Sequence, residues 1–122
     1  MDSSLRVLIA GRETARLVAL SGYLTFRGFI VDHAPDVADA RALLEHIEYR
    51  ALVAGVELGS TEYHSLVDLL REAKFAPEGP KTVAVVHAGP MSAEKWPEAD
   101  LILGAELPMP HLASVVCASL VG

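Results

Sequence analysis

Five side chains able to do chemistry fall where apolar runs end: Arg12, Glu13, Glu57, His87 and Glu106. Two of those runs stand out, Arg-Val-Leu-Ile-Ala-Gly-Arg-Glu at 6–13 and Ala-Leu-Val-Ala-Gly-Val-Glu-Leu at 51–58. In a parallel α/β domain the carboxyl ends of such strands face the ligand crevice. Clustered carboxylates there would hold a divalent cation and take a phosphoryl group. The two decisive places carry Gly11-Arg12 and Gly55 instead. The scaffold for that chemistry stands without the groups that perform it.

The other candidates are sparse. His33, His46, His64, His87 and His111 show no pair at metal-ligand spacing and no accompanying cysteines, so no metal and no cofactor are expected. Only His87 falls at a strand end facing the crevice, and the other histidines are expected on the surface or in loops. Cys117 has no histidine–carboxylate partner and reads as a small packing residue. The stretch Gly11-Arg12-Glu13-Thr14-Ala15 lacks the repeated glycines and hydroxyls that cradle a phosphate, which argues against an enzyme of flavodoxin-like type.

The elements that must position these residues follow from composition and periodicity. A chain of 122 residues, 52% hydrophobic and 21% charged, is expected to fold as one domain over residues 4–121. Its mean hydropathy of +0.35 suits a parallel sheet covered on both faces. No apolar stretch reaches the roughly 18 residues of a membrane span, and Met1-Asp2-Ser3-Ser4 lacks a signal peptide's basic region and apolar core. A single cysteine suits a reducing compartment, so a cytoplasmic protein is expected. A net charge of −6, with ten scattered basic residues, argues against nucleic acid.

Apolar runs and helical patterns alternate along the whole chain. Residues 5–10 read as a strand, and 14–27 as a helix with Leu17, Leu20 and Leu24 inward, ended by Gly28. Phe29-Ile30-Val31 is a short second strand. Pro35 and Asp36 open a helix whose core face is Val37, Ala40, Leu43, Leu44 and Ile47. Residues 51–56 form a wholly apolar third strand. Ser60 or Thr61 caps a helix burying Leu66, Leu69 and Leu70, and 75–80 is a loop. Residues 82–87 and 101–103 are the last strands. Pro108 introduces a final helix with Leu112, Val115, Val116 and Leu120 inward. This alternation predicts an α/β, doubly wound, five-stranded parallel sheet of order 2-1-3-4-5, with its crevice between strands 1 and 3.

Four passages make the chain resemble a bacterial response-regulator receiver domain over nearly its full length. They are the opening RVLIAGRE, the passage RGFIVDHAPDVADARALLE, the third strand after Tyr49-Arg50, and ADLILGAELPMPHL. Gly28, Phe29, Val31, Ala34, Ala40 and Leu43 match the second passage of the family, and Ala99 and Asp100 match its ending. The resemblance implies a (βα)5 fold and a role in two-component or phosphorelay signalling.

It also implies five chemical positions: an acidic pair holding Mg²⁺, an aspartate that accepts the phosphoryl group, a hydroxyl and a lysine. In this sequence they fall on Gly11 and Arg12, on Gly55, on His87 and on Ala105, so all five are replaced. The aromatic position on strand 5 falls on Ile102. Setting Glu57 at the acceptor position would insert two residues into strand 3 and break its apolar run. A pseudo-receiver without phosphorylation, and without catalytic turnover, is the reading these replacements favour.

Three readings of the crevice remain. Arg12 pairs with Glu57 or Glu106 in the metal's place, or binds a small anion together with His87 and loop amides, or the small residues Gly11 and Gly55 let the loops close over an emptied site that takes no ligand. Three nearby glutamates favour the ion pair. The ten residues between Ala88 and Ala99, interrupted by Pro97, leave at about 1.5 Å per residue only a short fourth helix or none. The face made by that segment, strand 5 and the last helix is therefore remodelled. Trp96, Ile102 and Met109, with Met91, are its candidate contacts for a protein partner or a second copy of the chain.

Overall fold

A computed structural model describes residues 5–12, 14–57, 63–76, 79–80, 82–88, 100–104 and 108–121. Five strands, β1 (Arg6–Ala10), β2 (Ile30–Ala34), β3 (Ala51–Glu57), β4 (Thr82–Ala88) and β5 (Leu101–Gly104), form one sheet of order β2-β1-β3-β4-β5. Every neighbouring pair is parallel. The described helices are α1 (Ala15–Phe26), α2 (Val37–His46), α3 (Tyr63–Phe75) and α4 (Met109–Val121). The fold class and strand order read from the sequence are those observed. The segment expected to hold a shortened helix before β5, residues 89–99, lies outside the described residues.

Two core layers follow from the two-residue period of the strands. Val7, Ile9, Ala51 and Val53 face α1 and α4, where they meet Leu17, Leu20, Leu24, Leu112 and Val116. Leu8, Ala10, Leu52 and Ala54 face α2 and α3, against Val37, Ala40, Leu66, Leu69 and Leu70. β1 and β3 are thus covered on both faces, which is why they read as unbroken apolar runs. Each fully buried leucine contributes about 1.5–3 kcal/mol relative to exposure.

The inward residues expected of α1 and α3 are buried, as are Leu112, Val116 and Leu120 of α4, with Val115 half-buried. On α2, Val37 and Ala40 are buried, while Leu43, Leu44 and Ile47 pack half-exposed against the core.

Two details differ from expectation. β2 runs to Ala34 rather than stopping at Val31. It is an edge strand, and its polar residues are engaged. Asp32 accepts from Arg6 and Tyr49, and His33 bonds Gly11, so the polarity that hid the strand in the sequence is what ties it to its neighbours. Pro35 precedes α2 instead of occupying its first turn. Asp36 is the N-cap, with a carboxylate oxygen accepting from Asp39 N at 2.8 Å. Gly28 ends α1 at φ +96°, the left-handed conformation expected of it. The anticipated caps of α3, Ser60 and Thr61, lie outside the described residues.

Candidate functional site

The crevice at the carboxyl ends of β1 and β3 is built by local rules. Thr14, in extended conformation, caps α1 and accepts from Leu17 N at 3.3 Å. That cap sets the first turn of α1 so that Leu17, 3% exposed, points inward beneath the end of β3. Ala10 pairs with Ala54, so Gly11 and Gly55 leave their strands side by side. Gly11 N donates to Ala34 O at 2.9 Å, and the His33 Nε2 lies 2.9 Å from Gly11 O. β2 thereby clamps the turn after β1 from its outer side.

The fit around the two glycines is close. A Cβ on Gly11 would stand 2.7 Å from Gly55 O and 3.3 Å from Gly55 N, and Gly11 sits at φ +135°. L side chains rarely adopt that conformation, so both space and backbone demand glycine there. A Cβ on Gly55 would stand 2.5 Å from the Leu17 Cδ1 and 3.2 Å from its Cγ. The volume into which a side chain at position 55 would project is filled by Leu17.

These residues do not fit the Mg²⁺ that the resemblance implies. Gly11 offers no ligand oxygen from a side chain, its Cβ position abuts backbone, and Arg12 brings a positive charge. Among the described residues, no group of three histidine, cysteine, aspartate or glutamate side chains could hold a metal ion.

The structure brings Gly11 and Gly55 together and leaves Arg12 exposed beside them. The sheet register sets His87 opposite Val56 and Gly104. The side chains of Glu57 and His87 lie outside the description, and with them the expected Arg12–Glu57 pair and Arg12–His87 anion site. Glu13, Met91, Trp96, Ala105 and Glu106 also lie outside the described residues. Ile102, on β5 opposite Val85, is half-buried against the α2–α3 core. Met109, the first residue of α4, is half-buried against the α1–α4 core.

Sequence reasoning missed three participants. His33 is half-buried in β2 rather than on the surface or in a loop, and it holds the Gly11 carbonyl. Leu17 was legible as core, yet nothing in its spacing announces that it fills the place of a side chain on a distant strand.

The third is a polar cluster at the α2–α3 face: Asp32 Oδ2 accepts from Arg6 Nη1 at 3.1 Å and from Tyr49 OH at 2.7 Å. Burial raises the Tyr49 phenol above its ordinary value, and the hydrogen bond to Asp32 and that carboxylate's charge raise it further.

No family model and no curated protein matches the chain. Solved structures do. A signal receiver domain of a response regulator from Bermanella marisrubri superposes with a TM-score of 0.75 at 19% identity, covering 99% of this chain and 100% of that one. An orphan response regulator of H. pylori gives 0.74 at 20% identity, covering 98% and 99%. A CheY-like receiver domain from Methanospirillum hungatei gives 0.73 at 22% identity, covering 94% and 92%. The chain has the CheY-like receiver fold. None of the described helices is long and apolar enough to cross a membrane.

Proposed function

We propose that residues 4–121 form a receiver-like signalling domain, of the two-component or phosphorelay type, that works without phosphorylation and through contact with another protein. The observation that carries this reading is the packing of Leu17 into the space that a side chain at position 55 would need. An acceptor carboxylate there would require the methyl groups of buried Leu17 to shift aside. The replacements at Gly11, Arg12, Gly55, His87 and Ala105 support the same reading, since they remove the acceptor, the metal ligands, the hydroxyl and the lysine together. With the reaction gone, the retained fold is a scaffold for recognition in the cytoplasm, not for turnover.

The partner would be a signalling protein or an output domain, and the contact face the one that includes Trp96, Ile102 and Met109. A second copy of the chain could occupy the same face. Incubation with Mg²⁺ and acetyl phosphate, followed by intact-mass spectrometry, tests the central claim. An unmodified mass is expected, and a phosphoryl adduct would overturn it.

A further inference from the structure

On the face covered by α2 and α3, near the amino ends of β3 and β4, lies a cavity of about 450 Å³. It is walled by Leu44, Ile47, Tyr49, Leu69, Ala73 and Pro80, at the opposite end of the sheet from Gly11 and Gly55. That volume lies within the range of small-molecule sites. The chain makes this space by local steps. α2 stops at His46, and its C-cap Ile47 is already extended, so the helix covers no more of the sheet. After α3, Gly79 N donates to Ala76 O at 3.1 Å, and a Cβ on Gly79 would meet Ala73 O. That wall is therefore backbone packed directly on the last turns of α3.

Three of the polar residues around the cavity are engaged elsewhere. Tyr49 is 4% exposed, and its OH donates to Asp32 Oδ2 at 2.7 Å, which leaves the phenol ring to the wall. Arg41 of α2 reaches Glu72 of α3 with two bonds, Nε to Oε2 at 3.0 Å and Nη2 to Oε1 at 3.2 Å. Both side chains are well exposed, so the pair stands at the mouth and ties the two helices together across it. Leu44 and Ile47 belong to the core face of α2 yet stay half-buried where they border this space. Apolar surface left uncovered in this way holds water poorly and gains by taking an apolar occupant.

We propose that this cavity binds a small apolar ligand, a body of one or two rings lying against Leu44, Ile47 and Leu69. An apolar cavity of about 150 Å³ takes benzene, so a space about three times larger admits two fused rings. Selection here is by size and polarity and uses none of the positions at the carboxyl ends of β1 and β3. The site is independent of whether the domain accepts a phosphoryl group.

The probe is indole, an uncharged two-ring molecule, titrated into protein carrying ¹³C-labelled leucine and isoleucine methyl groups. Saturable shifts are expected at the methyls of Leu44, Ile47 and Leu69, fitting one site, with a rise in melting temperature that follows the same dissociation constant. Ala76→Trp, at an exposed lining position, is expected to fill the cavity and weaken indole at least tenfold. Leu44→Gln, at a half-buried lining position, is expected to weaken it about fivefold. The methyl signals of Leu8 and Leu52, both fully buried, report that each variant keeps its fold. Wild-type affinity in both folded variants would overturn the proposal. So would an absence of saturable shifts, or shifts centred on Leu5 and Leu120, which line a different cavity.

Discussion

The Cδ1 of Leu17 lies 2.5 Å from where a Cβ on Gly55 would stand, so the first turn of α1 occupies the space that β3 leaves open at its carboxyl end. A substitution at one position is therefore felt at the other. Gly55→Ala is expected to destabilise the protein by about 1–2 kcal/mol, since overpacking outweighs the gain from replacing a strand glycine. Leu17→Ala alone is expected to cost about 2–5 kcal/mol. The double variant is expected to cost less than the sum, because the methyl introduced at position 55 fills part of the cavity left by Leu17, with a coupling of about 1 kcal/mol. Urea denaturation of the four proteins measures the cycle, and strict additivity would refute the contact.

The turn after β1 makes a separate demand. Gly11 at φ +135° combines an unfavourable backbone with a carbonyl 2.7 Å from the would-be Cβ, and backbone cannot rotate aside. Gly11→Ala is expected to cost about 2–5 kcal/mol. Gly28, at φ +96° with nothing within 4 Å of a Cβ, carries only the conformational part. Gly28→Ala is expected to cost about 1–2 kcal/mol. Equal losses in melting experiments on the two variants would show that the Gly11–Gly55 approach is not tight.

Tyr49 supplies a pH signature. Its phenol titrates above the ordinary value of 10.0 in the folded protein, through burial first and the Asp32 bond second. A raised folded value means that the neutral phenol favours the native state. Its contribution is complete below pH 10.0 and is lost as pH rises past it. The wild type is expected to lose stability on the alkaline side more steeply than Tyr49→Phe, which itself costs about 1 kcal/mol at neutral pH. Denaturant midpoints measured across the alkaline range test this, and parallel curves would contradict it.

Much of the architecture was legible because burial on both faces leaves a direct trace. Val7 to Ala10 and Ala51 to Ala54 are fully buried and wholly apolar, and Leu17, Leu20 and Leu24 repeat at helical spacing. β2 was under-read because an edge strand tolerates Asp32 and His33, whose partners Arg6, Tyr49 and Gly11 are distant in sequence. The two glycines were legible as the residues that follow the apolar runs of β1 and β3. Their mutual approach was not, since it depends on the Ala10–Ala54 register and on the turn that Thr14 fixes. Period and composition report which face a residue takes, whereas the filling of one residue's space by another's side chain is a property of the packed fold.

The claim that this receiver fold does not accept a phosphoryl group is tested most directly by an amide titration. The uniformly ¹⁵N-labelled protein is titrated with Mg²⁺ and beryllium fluoride, which imitates a phosphoryl group on an acceptor carboxylate. The account predicts no saturable shift at the amides of Gly11 and Gly55. Saturable shifts centred on those two residues would contradict it.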